Sequence, residues 1–307
     1  MNCPKCGFEQ SDHAVECVRC GIVFAKWQES EELALLAKHR PPADAVAAEE
    51  AVANGRIGRK ELQILGGGLA AAAIVYAFPL TRFLFSALVT LFHELGHAVV
   101  GWLLGYPSLP AFDFVYGGGF THQGTFHLPI ALAVAAAFGY GGWLFRENRV
   151  SVALIAVLLV GWLFFVTAEW RRELAIAAAG HAFELILAGI FFYQALSGVG
   201  WRVPEVERPL GAFAAFFVQI HSMMFAWRLI HDPDFLAWYR EGKGGALMND
   251  LEVVALDVNI YGRLNPGIEG VARWLLVFSI VPMGIALLWY FQRARWHRML
   301  RALRTAR

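Results

Sequence analysis

The sequence predicts an all-α polytopic membrane protein: about six to seven transmembrane helices, one membrane-associated β-hairpin and a small cysteine-built head. Three observations predict it. Of the 307 residues, 58% are hydrophobic and only 17% charged, a balance foreign to soluble domains. Apolar runs of bilayer length recur from residue 62 onward. All four cysteines fall in the first 20 residues, away from those runs. The formal net charge of +1 gives no electrostatic case for nucleic acid.

The head, residues 1–27, holds Cys3-Pro-Lys-Cys6-Gly and Cys17-Val-Arg-Cys20-Gly. Each pair is a thiolate knuckle, and the glycine after it permits a tight turn. Two knuckles across a short loop suit one tetrahedral four-sulfur site. A segment this small cannot bury enough apolar surface to fold alone, so the metal supplies the folding energy. The segment resembles a short zinc ribbon, with one structural zinc on Cys3, Cys6, Cys17 and Cys20. Disulfides or a redox pair are the competing readings. Reduced thiolates put the N-terminus in the cytosol. Such a ribbon can hold a protein partner, bind nucleic acid or only fold, and its few basic residues do not favour nucleic acid. No signal peptide opens the chain.

Residues 28–61 read as a linker. Glu29, Glu31 and Glu32 precede Leu33, Leu35 and Leu36, the pattern of a short exposed helix that Pro41-Pro42 ends. Arg59 and Lys60 then flank the first span, which agrees with a cytosolic N-terminus. The membrane domain is 62–292, with apolar spans expected at 62–80, 82–104, 126–145, 151–167, 173–196, 211–230 and 270–291. An integral protein of a bacterial cytoplasmic membrane is the expected setting, with the lipid bilayer as its surroundings.

The second span carries His93-Glu94-Leu95-Gly96-His97. Positions i and i+4 share a helix face, so both imidazoles can reach one cation, with Glu94 beside it. This is the His-Glu-x-x-His pattern of zinc hydrolases. Ionisable groups deep in an apolar span are costly, which makes them a functional hypothesis by default. The competing reading is a polar packing triad without metal. Residues 108–125, with Gly117–Gly119 at their centre, read as a hairpin directly after the motif helix. Its edge could pair with an extended peptide. His122 or His127 could line a water channel.

The fifth span holds a second polar island, His181 and Glu184, three apart on one face. His97 lies about eight residues before the inner end of span two, and His181 about eight after the inner start of span five. At 1.5 Å per residue both are roughly 12 Å deep, and if spans three and four both cross, spans two and five are antiparallel and the islands can meet. A catalytic zinc needs a third protein ligand besides His93 and His97. Glu184 and His181 are the leading candidates, with the other either supporting a ligand from behind or polarising substrate. Asp232, in the turn-like His231-Asp232-Pro233-Asp234, is a further candidate. His221 reads as a packing or outer partner. Asn249-Asp250 and Asn265-Pro266-Gly267 read as turns. The tail, residues 293–307, is basic and without acids, as in an interfacial helix held by anionic lipid. By the positive-inside rule that tail is cytosolic, which conflicts with seven crossings from a cytosolic N-terminus.

The motif from His93 to Ala98 within a span, followed by a glycine-rich apolar hairpin, resembles the site-2 protease family of intramembrane zinc metalloproteases. The resemblance covers roughly residues 82–125. It implies zinc on His93 and His97, Glu94 as general base, and cleavage of a membrane-protein substrate within its transmembrane helix. The family takes its third ligand from an aspartate in an Asn-Pro-Asp-Gly or Leu-Asp-Gly motif. Leu264-Asn265-Pro266-Gly267 lacks that aspartate. The expected chemistry is attack of an activated water on a peptide carbonyl, with Glu94 moving the proton and His181 helping to stabilise the oxyanion. Two rival readings are a non-catalytic membrane scaffold or assembly factor with a structural metal, and a zinc hydrolase of lipid or small substrates.

Overall fold

A computed structural model describes residues 1–27, 57–113, 118–241 and 248–305. The chain divides into two compact units, Met1–Asn54 and Gly55–Arg307. The expected linker helix at 28–39 and the hairpin tip at 114–117 lie outside the described residues.

The first unit is a repeat. Cys17 follows Cys3 by fourteen residues, and the backbone hydrogen bonds recur at that offset. Cys3 N–H donates to the Phe8 carbonyl and Cys17 N–H to the Ile22 carbonyl (2.9 and 2.8 Å). Gln10 N–H donates to Met1 and Phe24 N–H to Val15 (3.0 Å each). Gly7 and Gly21 close the two knuckles at φ +70° and +67°, where a side chain would be strained.

The second unit is helical. In chain order it holds α1 (Arg59–Ala77), α2 (Pro79–Leu103), β1 (Ser108–Asp113), β2 (Gly118–Gln123), α3 (Leu128–Leu144) and α4 (Arg149–Val166). After these come α5 (Glu169–Ser197), α6 (Pro204–His231), α7 (Pro233–Glu241), α8 (Asp250–Gly262), α9 (Gly267–Phe278) and α10 (Ile280–Thr305). Every expected apolar run is helical, but they are not equivalent. Five helical segments among the described residues are long and apolar enough to cross a membrane: α2, α4, α5, α6, and α9 with the start of α10 from Gly267 to Arg293. At 17 residues α3 is shorter, and α1 is not among the five. The basic tail continues α10 to Thr305.

Local chemistry sets the boundaries. Proline stands in the first turn of α2, α3 and α6, where its missing N–H costs nothing. Asn148 caps α4 through the N–H groups of Val150 and Ser151. Gly198, at φ +73°, ends α5. Asn249 and Glu252 form a capping box that starts α8.

Small residues bring the central helices together. A Cβ on Gly68 would lie 2.5 Å from the Ala212 Cβ, joining α1 to α6. One on Gly96 would lie 2.5 Å from the Ala179 carbonyl oxygen, joining α2 to α5. Ala72, Val89, Phe92, Ala188, Phe217 and Val218 pack across α1, α2, α5 and α6. Arg208 ties the far end: it donates to the carbonyls of Ala195 and Leu196 at the end of α5 and pairs with Glu61 of α1 at 3.2 Å. By contrast α4 buries none of its residues. Val152, Ile155, Leu159, Trp162 and Val166 are half-buried along one stripe, and the apolar remainder is exposed, a surface that suits lipid.

The expected hairpin is present. β1 and β2 pair antiparallel, from Ser108 opposite Gln123 to Asp113 opposite Gly118. Thr121 of β2 sits against Glu94 of α2, so the hairpin lies over the motif.

Candidate functional site

In the first unit the four sulfurs come together. Cys3 Sγ is 3.6 Å from Cys20 Sγ, and Cys6 Sγ is 3.7 Å from Cys17 Sγ. Disulfide bonds are about 2.05 Å, so these thiols are free, as the spacing requires. A tetrahedral ion with bonds of about 2.3 Å holds its sulfurs about 3.8 Å apart, so the group can hold a metal ion.

In the second unit α2 projects His93 and His97 toward α5 and α8. Three atoms converge there. His93 Nε2 lies 2.7 Å from Asp250 Oδ2, His97 Nε2 lies 3.2 Å from the same oxygen, and the two Nε2 atoms are 3.0 Å apart. The other nitrogen of each ring fixes its tautomer. His97 Nδ1 donates to the Ile176 carbonyl at 2.7 Å, and a carbonyl can only accept. His93 Nδ1 donates to Glu184 Oε1 at 2.6 Å. In the neutral rings both Nε2 atoms turn lone pairs toward the Asp250 carboxylate oxygen. Three acceptors at this spacing repel one another unless a proton or a metal ion lies among them. Bonds of about 2.0–2.1 Å in a tetrahedral site separate ligand atoms by about 3.3 Å, so the residues fit an ion. Histidine ligands backed by a carboxylate and a carbonyl are the usual support of such a site. His181 also brings a ring nitrogen into the group, since His93, His181 and Asp250 each offer an atom within 4.8 Å of the others.

A glycine makes the space. A Cβ on Gly180 of α5 would lie 2.5 Å from His93 Cε1 and 2.6 Å from both Nε2 atoms.

Glu94 is 5% exposed and is held by the hairpin. Its Oε2 accepts from Thr121 Oγ1 at 2.7 Å. A Cβ on Gly119 would meet Glu94 Cγ at 2.7 Å, so the strand needs glycine to come this close. Glu94, His93 and His97 line one cavity of about 850 Å³, whose wall β2 completes.

The candidates for the third ligand are placed differently: His181 joins His93 and Asp250 in a group that can hold a metal ion. Glu184 is at the site; its oxygens accept from His93 Nδ1 and from Ser222 Oγ (2.7 Å), and His181 Nδ1 stands 3.3 Å away without hydrogen-bond geometry. It holds His93 rather than joining the triangle. Asp232 is elsewhere: it caps the Phe235 N–H and pairs with Arg228 at 3.2 Å. Asp250, read as a turn residue, supplies the third atom of the triangle, its one oxygen. The usable signal was Asn249 followed by Glu252 and an apolar run, which marks a helix start. His221 packs between the rings of Tyr76 and Phe217 and reaches the cavity wall. His122 lines the cavity as expected, whereas His127 precedes α3 beside Thr125.

No family model, curated protein or solved structure matches the chain.

Proposed function

We propose that the second unit is an intramembrane zinc metallopeptidase that hydrolyses a peptide bond within a transmembrane segment of another membrane protein. The observation that carries this reading is the convergence of two imidazole lone pairs and the Asp250 carboxylate beside Glu94, in a cavity bounded by apolar helices. A zinc ion on His93, His97 and Asp250 would supply Lewis acidity and lower the pKa of a water toward neutrality. Zinc suits a set of two imidazoles and one carboxylate. The four-sulfur group of the head suits a second, structural zinc.

The chain's own groups perform the rest. Glu94 takes a proton from the attacking water and returns it to the leaving amine. Thr121 holds that carboxylate in place through its Oγ1. Glu184, fixed by Ser222, keeps the His93 Nδ1 proton where it is. His181, with its ring 4.7 Å from that of His93, is near enough to donate to an oxyanion. The thiolate head and Arg59-Lys60 favour a bacterial cytoplasmic membrane with the N-terminus in the cytosol.

The test is Glu94→Gln in the full chain, reconstituted with single-span membrane proteins. Cleavage should fall by about 10²–10⁴-fold while both ions stay bound. Cleavage at the wild-type rate would overturn the assignment.

A further inference from the structure

Two carboxylates of the cavity take no part in that chemistry. Asp257 of α8 and Glu173 of α5 both line its wall. Asp257 lies seven residues beyond Asp250, two turns along the same face, so about 10 Å farther down the helix. Glu173 lies one turn before Ile176, whose carbonyl holds His97. The pair thus stands in one end of the cavity, away from the metal triangle.

Asp257 is 7% exposed, and its Oδ2 is shielded from solvent without a hydrogen-bond partner among the described residues. Burial lifts its carboxyl above the usual carboxylate range. Neighbouring Arg172 is committed elsewhere: it donates to the Tyr106 hydroxyl and the Val166 carbonyl (3.0 and 2.7 Å) and stacks over Phe126. The described cavity lining holds five carboxylates, those of Glu94, Glu173, Glu184, Asp250 and Asp257, and neither lysine nor arginine. A buried acid without a partner, in a cavity of one sign, is a place for a cation brought from outside.

We propose that Asp257, with Glu173, is a recognition subsite for a basic side chain of the substrate, lysine or arginine. It rests on the peptidase reading. An extended peptide advances about 3.3 Å per residue, so about 10 Å puts the basic residue about three positions from the bond that is cut. Membrane segments carry lysine and arginine at their cytosolic flanks, so a span entering the cavity from that side brings the required charge. A second metal is the poorer occupant, because the pair offers two ligands where a metal site needs at least three.

Binding tests this apart from catalysis. Fluorescent single-span peptides of one apolar sequence would carry lysine, glutamine or glutamate at each flanking position in turn. They are titrated onto the full-length Glu94→Gln protein in nanodiscs. At one position lysine should bind about tenfold tighter than glutamate, the effect of one partly desolvated ion pair. Adding Asp257→Asn should bring that ratio within about twofold, and Asp257→Glu should keep it. Should Asp257→Asn fail to fold, as judged by elution and metal content, Glu173→Gln replaces it and should lower the ratio at the same position. The subsite is overturned if no position prefers lysine, or if the preference survives in the Asp257→Asn or Glu173→Gln protein. Wild-type cleavage of the same peptides, compared with Glu94→Gln, scores the peptidase separately. Cutting without charge preference sinks the subsite and keeps the peptidase. Charge-selective binding without cutting keeps the subsite and sinks the peptidase.

Discussion

His93 Nδ1 stands 2.6 Å from Glu184 Oε1, so a carboxylate on α5 decides which nitrogen of a histidine on α2 is left to bind. Removing that partner leaves the ligand atoms in place but frees the ring to turn. Glu184→Ala should weaken the inner metal by about 10–100-fold. Asp250→Ala removes a ligand and should cost more. Asp232→Asn should change nothing, since Asp232 caps α7. Metal retained per chain after dialysis against graded chelator, in protein lacking residues 1–54, separates the three.

That ranking also marks what was legible in the sequence. His93, Glu94 and His97 lie within one helical turn of each other, so spacing alone brings them to one site. The meeting of that turn with His181 and Glu184 was readable only on the condition that spans three and four both cross, and α3, at 17 residues, is not among the five long apolar segments. Asp250 was not readable in the same way. It stands 157 residues from His93, on a separate 13-residue helix, and no periodicity spans that gap. Its neighbour Asn249 suggested a turn, although asparagine opens a helix by the same hydrogen bonds. The division of labour between Glu184 and Asp250 depends on side-chain direction, which composition does not carry.

Gly180→Ala isolates the space between the helices. Alanine in place of a helical glycine ordinarily stabilises by about 0.5–1 kcal/mol. Here its Cβ would stand 2.6 Å from both Nε2 atoms. The inner metal and hydrolysis should be lost while the melting temperature holds or rises. Gly66→Ala, with nothing within 4 Å of its Cβ, is the matched control and should keep both.

Asp257 predicts a stability that depends on pH. A carboxyl whose folded pKa is raised binds its proton more tightly in the folded chain. Stability therefore falls as pH rises from the unfolded carboxylate value, about 3.9, through the folded one, and the loss is complete above both. Asp257→Asn removes that loss. Its melting temperature should exceed the wild type's at neutral pH, and the gap should close as pH falls toward the unfolded value. A melting temperature below the wild type's at neutral pH would mean that Asp257 is paired.

In the head, chelation or Cys3→Ser should expose residues 1–27 to protease in the full chain. Acidification should do the same, because protons compete with the ion for thiolates. Digestion timed with and without added zinc reads both effects.

The fourteen-residue offset within the head has an arithmetic of its own. Each copy contributes two sulfurs, and neither reaches the four that a closed cage demands. Losing any one cysteine thus disarms the intact copy along with the damaged one, and the head switches as a whole with no half-assembled rung.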